Sequence, residues 1–242
     1  MRNIVKGEVP QELIDEKSQI QFAKVLSQKK IQPQDCNIYR TVKDKLTELY
    51  KTKCCYCETK LSGSEIEHFR PKNDYYWLVY SWDNLLPICS HCNKIKGKKF
   101  QTNKPKINSH NIVNVIQAQN LKQEYDIIEE PLLINPETDV ITDETFVFEE
   151  NGLMKSKEER FDFTIAQLKL NRPELLKHRK KLFDDLREKE EGLIWEEENF
   201  VITKRKDIMK QLVKEAYNET NDYISLRKFL ISFYRNCLQE QG

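Results

Sequence analysis

The chain has 242 residues, of which 38% are hydrophobic and 33% are charged, and it contains only 6 glycines. This composition suits a helix-rich globular protein with one large or two small domains and argues against a disordered chain. No apolar run is long enough to cross a bilayer and the N-terminal segment lacks a signal-peptide core, so we expect a cytoplasmic protein without a membrane anchor.

The first region, residues 1–50, is predicted to contain two amphipathic helices. Apolar residues recur at helical spacing in Gln11–Lys29 and again from Val42 to Tyr50. Pro33 and its polar neighbours separate the two helices.

The second region, residues 51–106, carries two Cys-x-x-Cys pairs, Cys54/Cys57 and Cys89/Cys92. In a reducing compartment such pairs favour metal over disulfides, and four thiolates complete one tetrahedral structural zinc site. The interval of 31 residues between the pairs is longer than in a simple zinc ribbon, so it must itself be folded. The three other cysteines, Cys36, Cys55 and Cys237, are predicted to be unligated buried thiols.

Between the cysteine pairs, polar and apolar residues alternate from Ser64 to Phe69, which predicts a short strand broken at Pro71. Glu67 and His68 would then point to opposite sides of this strand. The segment Trp82–Pro87 leads into the second cysteine pair, and a helix is predicted to begin near Cys92. The sequence therefore predicts a strand–strand–helix unit around a metal.

The third region, residues 107–160, begins as a lysine- and asparagine-rich connection. Its stretch Leu132–Ser156 has β-rich runs, and Asn151-Gly152 is typical of a hairpin turn. The fourth region, residues 161–242, is predicted to be helical, with a helix that begins near Pro173 and Glu174 and a final helix pair.

Charge is unevenly distributed although the net charge is only +1. Lysines accumulate without acids from His91 to Lys106, and a basic face beside the cysteines suits phosphate binding. The predicted phosphate contacts are Arg70, Lys72, Lys96 and Lys98. The alternative is a lysine loop that is merely solvated. The aromatic residues between Tyr75 and Trp82 could stack on bases, but packing is the preferred interpretation for Trp77 and Trp82.

Glu67-His68, Asn84 and Asn93, in this order and with nine residues from Asn84 to Asn93, resemble the motifs of the HNH endonuclease family. The resemblance implies a ββα-metal core in which His68 is the general base and Glu67 and Asn93 hold a catalytic divalent ion. It also implies that Asn84 braces the loop through backbone hydrogen bonds. The expected fold class is thus α+β and mainly helical, with a zinc-stabilised ββα-metal core and a small hairpin.

These implied roles are chemically reasonable. A neutral imidazole can accept a proton from water, and a hard cation such as Mg²⁺ or Mn²⁺ suits oxygen ligands and stabilises charge on a leaving oxygen. Glu65, two residues before Glu67, is interpreted either as a residue behind the metal ligands or as part of the solvent-facing side.

The similarity extends beyond the motifs. The runs IEHFRPK, YYWLVYSWDNLLPICSHCNKIKGKKF, LLINPETD and FTIAQLKLNRPELLKHR resemble the HNH subunit of Septu-type anti-phage defence systems, including HNH proteins attached to some retrons. That resemblance implies an ATPase partner of the ABC or overcoming-lysogenisation-defect type and, in retron-associated systems, a reverse transcriptase with its DNA.

Two functions from different classes are consistent with the sequence. One is a metal-dependent nuclease that cuts DNA or, second in preference, structured RNA. The other is a zinc-stabilised nucleic-acid-binding or adaptor module without catalysis. The fit of Glu67-His68, Asn84 and Asn93 to one template favours the nuclease.

Overall fold

A computed structural model describes residues 1, 4–30, 37–63, 65–108, 111–194 and 196–240. These residues form two compact units. The core unit comprises the described residues of 3–56 and 60–140, and the C-terminal unit comprises Met1, residues 57–59 and the described residues from Ile141 onward. No helix among the described residues has both the length and the apolar character needed to cross a membrane.

The helices and strands of the core unit are, in chain order, α1 (Gln11–Ile14), α2 (Glu16–Gln28), α3 (Asn37–Leu49), β1 (Glu65–His68), β2 (Leu85–Ile88), α4 (Ser90–Lys96) and α5 (Lys122–Glu129). Two 3₁₀ turns, Tyr76–Leu78 and Trp82–Asn84, lie between the strands. The C-terminal unit contains β3 (Val147–Phe148), β4 (Met154–Lys155), α6 (Glu159–Gln167), α7 (Pro173–Glu191), α8 (Glu198–Ala216) and α9 (Ile224–Glu240). The predicted class, mainly helical with small sheets, is confirmed.

The first predicted helix is divided into α1 and α2 at Asp15. Its carboxylate accepts a hydrogen bond from the backbone N–H of Ser18 at 2.8 Å, which caps α2. Five apolar residues of the N-terminal helices are fully buried, and they are Leu13, Phe22, Val25, Val42 and Leu46, whereas Ile20 is 55% exposed. Helix α3 packs against both β1 and β2, so the N-terminal region contacts the two strands of the cysteine segment. Pro33 lies outside the described residues.

The predicted hairpin is present but short. Val147 pairs with Lys155 and Phe148 with Met154, around the turn that contains Gly152. Gly152 has φ +88°, and a Cβ there would lie 2.3 Å from the carbonyl oxygen of Leu176, so this position requires glycine. The preceding residues of the β-rich stretch form turns, such as the one in which Asn135 Oδ1 accepts from the N–H of Glu137 at 3.0 Å.

Helix α7 begins at Pro173, as predicted from its sequence. Helix α5, in contrast, was not predicted, since its eight residues follow a polar connection and its N-cap residue, Leu121, has no capping side chain. The N–H of Lys122 is instead capped by Asp83, 39 positions away. The division of the chain into four regions stays a prediction.

Candidate active site and zinc centre

A ββα unit lies at the centre of the cysteine segment. Strands β1 and β2 are antiparallel, with Glu67 opposite Leu86 and His68 opposite Leu85. Every residue of β2 is buried, because its sequence LLPI carries no polar side chain. Helix α4 begins directly after β2 with Cys89 as its N-cap residue. The chain therefore folds as strand, strand and helix in the predicted order.

The four cysteines of the two pairs converge. The Sγ atoms of Cys54, Cys57, Cys89 and Cys92 all lie within 4.8 Å of one another. A tetrahedral zinc with bonds of about 2.3 Å needs sulfur atoms roughly 3.8 Å apart, so this donor set fits zinc. The backbone N–H of Cys92 donates to Cys89 Sγ at 3.4 Å, which orients that thiolate at the N-terminus of α4.

The remaining cysteines are separate from this cluster. Cys55 is buried, and its N–H donates to the carbonyl oxygen of Pro87 at 3.0 Å, which fastens the first cysteine turn to β2. Cys237 is half-buried in α9. Cys36 lies outside the described residues. His91, inside the second cysteine turn, is exposed, and His178 contacts the hydroxyl of Tyr223 at 3.1 Å.

One face of β1 lies against α4. Glu65 and Glu67 are two residues apart on the strand, and Asn93 and Lys96 are three apart on the helix, so each pair shares a side. Asn93 Nδ2 donates to Glu65 Oε2, and Lys96 Nζ donates to Glu67 Oε1. Lys96 Nζ also donates to the carbonyl oxygen of His68 at 2.9 Å. Burial raises the pKa of Glu67, against the lowering effect of Lys96.

This face offers two oxygen atoms of the kind that a hard cation prefers. Lys96 binds Oε1 of Glu67, and Glu65 accepts from the amide nitrogen of Asn93. Among the described residues, the other two side-chain oxygens, Glu67 Oε2 and Asn93 Oδ1, have no hydrogen-bond partner. A carboxylate oxygen and an amide oxygen suit Mg²⁺ or Mn²⁺. The predicted ligand pair Glu67 and Asn93 thus fits a divalent ion in chemical type.

His68 lies on the opposite face of β1. Its Nε2 is 3.0 Å from the carbonyl oxygen of Val79 and 3.1 Å from the hydroxyl oxygen of Tyr39. A carbonyl oxygen can only accept, so Nε2 carries the proton and Nδ1 is the acceptor nitrogen of the neutral ring. His68 is only 7% exposed, and this burial lowers its pKa to about 3. The ring is therefore neutral at neutral pH.

No contact among the described residues joins the imidazole of His68 to the side chain of Glu67 or Asn93. Lys96 connects the two sides, since it donates to both the Glu67 carboxylate and the backbone carbonyl of His68. The alternation predicted for β1 accounts for this geometry, because neighbouring residues of a strand face opposite sides.

Asn84 is buried and bonds only to backbone atoms. Its Oδ1 accepts from the N–H of Arg70 at 2.8 Å, and its Nδ2 donates to the carbonyl oxygens of Arg70 and Leu78 at 3.2 Å each. These bonds tie together the two ends of the loop that leaves β1 and carries Val79, the partner of His68. Asn84 therefore braces the backbone of this loop.

Arg70 is placed differently from its predicted role as a phosphate contact. Its side chain is 1% exposed and pairs with Glu129 at 2.8 Å and with Asp126 at 2.7 Å, both in α5. Glu129 also accepts from the hydroxyl of Tyr75 at 2.6 Å and from the N–H of Ile107 at 2.9 Å. Arg70 thus anchors α5 to the end of β1 and cannot reach a phosphate in this structure.

Removing the partner of this buried arginine should be costly. We expect Glu129→Ala to lower the free energy of unfolding by about 3–5 kcal/mol, because Arg70 would keep a desolvated charge without its main partner. Urea unfolding at matched zinc content would measure the change.

The matched control is Asp74→Ala. Asp74 pairs with Lys106 at 3.2 Å, but both side chains are well exposed, so this loss should cost less than about 1 kcal/mol. Equal effects of the two variants would contradict a structural role of the Arg70–Glu129 pair.

Lys96 is likewise unsuited to its predicted role. It is fully buried between Glu67 and the His68 carbonyl, so its ammonium group is already paired with a carboxylate inside the protein. Lys72 is half-buried and Lys98 is exposed. Within the described part of the chain, no ion pair involves Lys72 or Lys98, nor the three other exposed lysines of the predicted basic stretch, Lys94, Lys99 and Lys104. We therefore leave Arg70 and Lys96 out of the candidate nucleic-acid surface and keep Lys72 and Lys98.

Trp77 and Trp82 belong to the core, as the preferred interpretation had it. They are 2% and 4% exposed, and Trp77 Nε1 donates to the hydroxyl of Tyr125 at 3.0 Å.

The sequence analysis missed the residues that support the site from distant positions in the chain. Tyr39, Asp126 and Glu129 are ordinary helix residues in the sequence, and no local pattern distinguishes them. His110 lies outside the described residues.

Comparison with known proteins agrees with this geometry. The model of the HNH endonuclease family matches residues 54–99, which span both cysteine pairs, β1, β2 and α4. The fold and the site thus define an HNH endonuclease domain. The chain is 30% identical to the Septu protein PtuB of Bacillus mycoides (strain KBAB4) over 211 residues, which cover 80% of this chain and 68% of the relative. It belongs to the Septu PtuB family.

Two further relatives carry the Septu name. The PtuB of Bacillus thuringiensis is 44% identical over 71 residues, or 28% of each chain. The Septu protein PtuA of Bacillus mycoides (strain KBAB4) is 25% identical over 198 residues, which cover 76% of this chain and 25% of the relative. A segment similar to this chain therefore forms part of a longer Septu protein.

Proposed function

We propose that the protein is a metal-dependent endonuclease that hydrolyses phosphodiester bonds, with DNA favoured over structured RNA, as the effector of an anti-phage defence system. The observation that carries the proposal is the ββα unit closed by four cysteines within the HNH family match. It contains Glu67, His68, Asn84 and Asn93 in the order of the HNH motifs. Membership of the Septu PtuB family supports the role in defence.

In the proposed mechanism His68 Nδ1 takes the proton from the attacking water, while Val79 holds the proton on Nε2. Because His68 is 7% exposed, nucleic-acid binding has to admit a water molecule to Nδ1. A divalent ion held by Glu67 and Asn93 would supply positive charge for the leaving oxygen. Lys96 and Glu65 fix the orientation of these two ligands through their hydrogen bonds.

We further propose that the nuclease works with an ATPase subunit of the same system, in the cytoplasm. Support comes from the similarity to both Septu proteins, including a PtuA in which a related segment is joined to further sequence. Neither the matched family nor the names of these relatives point to a retron, so a reverse transcriptase and its DNA are left out of the proposal.

A cleavage assay tests the proposal against the binding-module alternative. Purified zinc-loaded protein, alone and with its ATPase subunit, would be incubated with labelled plasmid, single-stranded DNA and tRNA in Mg²⁺, in Mn²⁺ and without added divalent metal. We expect metal-dependent scission, with plasmid the preferred substrate. Salt-sensitive binding without scission in any metal would instead favour the non-catalytic module.

Lys98, the exposed lysine of the candidate nucleic-acid surface, should contribute to binding through a phosphate contact. We expect Lys98→Ala to weaken binding to duplex DNA a few-fold and to reduce the slope of log affinity against log salt by about 1. Fluorescence anisotropy at several salt concentrations, without added Mg²⁺ or Mn²⁺, to prevent cleavage, would measure both quantities.

The control for this prediction is Lys157→Ala. Lys157 is also exposed and, among the described residues, has no ion-pair partner, but it lies outside the basic stretch. Its removal should leave the salt slope unchanged. An unchanged slope for Lys98→Ala would exclude this lysine from the interface.

A further inference from the structure

Tyr39 contacts the candidate general base from outside the HNH segment. It lies in the first turn of α3, whereas the family match begins at residue 54. Its side chain is 8% exposed. Its ring meets the His68 ring edge-on, with centroids 5.3 Å apart and an interplanar angle of 78°. Helix α3 thus forms one wall of the pocket that holds the imidazole.

The hydroxyl of Tyr39, His68 Nε2 and the carbonyl oxygen of Val79 form a closed triangle. The hydroxyl donates to Val79 at 2.7 Å, Nε2 lies 3.0 Å from the same oxygen, and Nε2 and the hydroxyl oxygen are 3.1 Å apart. Since the carbonyl can only accept, both other groups direct protons at it. The lone pairs of the hydroxyl oxygen then face the Nε2 proton.

This arrangement satisfies all three contacts only if the proton of the neutral ring is on Nε2. With the proton on Nδ1, the bare Nε2 would face the Val79 carbonyl oxygen at 3.0 Å, and two acceptors would repel. The buried pocket strengthens this preference, because no bulk water is present to replace a lost partner.

We propose that Tyr39 is a positioning residue that holds the imidazole of His68 in the Nε2-protonated tautomer, with Nδ1 as the proton acceptor. The inference deepens the proposed function and rests on it for its kinetic consequence. Helix α3 is then part of the catalytic apparatus, although the HNH motifs do not include it.

The kinetic test is Tyr39→Phe, which keeps the ring and its edge-on contact but removes the hydroxyl. We expect kcat to fall about tenfold, a part of the 10²–10⁴-fold contribution of a general base, with KM for DNA and zinc content unchanged. The matched control is Tyr50→Phe, which removes a buried hydroxyl that donates to Glu137 at 2.8 Å and has no role at the site. Tyr50→Phe should keep the wild-type kcat.

The spectroscopic test does not depend on activity. In ¹⁵N NMR spectra of the zinc-loaded protein, His68 should show a protonated Nε2 and an unprotonated Nδ1 at neutral pH. Its Nε2–H signal should shift and exchange faster with solvent in Tyr39→Phe, and it should stay unchanged in Tyr50→Phe.

Two results would overturn the inference. The first is an NMR spectrum of the wild type in which His68 carries its proton on Nδ1. This result can be observed even if the protein cleaves no nucleic acid. The second is a kcat of Tyr39→Phe that equals or exceeds the wild-type value, which would make Tyr39 a packing residue or a shield of the base. If the wild-type protein cleaves no substrate but gives the expected NMR signals, the nuclease proposal is refuted and the assignment of the His68 tautomer stands.

Discussion

Cys92→Ala should cost the protein its zinc and the fold of its ββα unit. Cys92 is fully buried, and its sulfur lies within 4.8 Å of three other cysteine sulfurs. Structural zinc sites of four thiolates contribute apparent free energies of roughly 10–16 kcal/mol, and binding and folding are coupled. Removing one ligand should therefore lower the zinc affinity by orders of magnitude and the melting temperature by more than about 10 °C.

Elemental analysis after gel filtration would measure the metal, with about one zinc per wild-type chain as the expected value. Calorimetry would measure the melting temperature. Cys55→Ala is the matched control, because Cys55 is a buried thiol of the same turn that lies outside the cluster. This control should keep its zinc and lose only packing energy. A Cys92→Ala protein with full zinc content, or a metal-free wild type with unchanged melting, would contradict the zinc site.

The sequence sufficed to predict those parts of the site that depend on local pattern. The spacing of the cysteine pairs, the alternation around Glu67 and the residues of the second pair predict β1, α4 and the thiolate cluster. Each of these signals acts over a few residues, and a strand or a helix N-terminus is decided at that range. Asn151-Gly152 predicted the hairpin turn for the same reason.

The fate of the charged residues could not be predicted in this way. In the sequence Arg70 and Lys96 look like phosphate ligands, yet in the structure both are buried in ion pairs. The partner of Arg70, Glu129, is 59 positions away in a helix that had no clear sequence signal. Which cation receives an internal partner is decided by tertiary packing, and charge patterns along the chain do not contain that information.

The pocket of His68 illustrates the same limit. The motif identifies His68 but says nothing of its burial, of the Val79 carbonyl or of Tyr39, since these partners lie 11 and 29 positions away. Alternation along β1 predicted that Glu67 and His68 face opposite sides, and in the structure the two side chains indeed have separate sets of partners. In the proposed mechanism the substrate therefore has to reach both faces of β1.

His68→Ala should abolish cleavage while the fold and the zinc content persist. Burial keeps the imidazole of His68 neutral at neutral pH, and the Val79 carbonyl occupies Nε2, so Nδ1 is the nitrogen left to accept a proton. Loss of a general base typically costs 10²–10⁴-fold in rate, so kcat should fall by about 10³-fold at saturating metal and DNA. Single-turnover cleavage of a labelled plasmid would separate this loss of chemistry from any change in binding.

The matched control is His91→Ala. His91 lies in the second cysteine turn and is exposed. It is thus a histidine of the same ββα unit, and among the described residues no hydrogen bond joins its side chain to Glu67, His68 or Asn93. It should retain wild-type cleavage, zinc content and melting temperature. Full cutting by His68→Ala would refute His68 as the base. Only His68 is placed to accept the proton, so a loss of proton transfer should affect His68→Ala alone. An equal loss of cleavage in both variants, with zinc released, would therefore show that the two substitutions act by disrupting the zinc site.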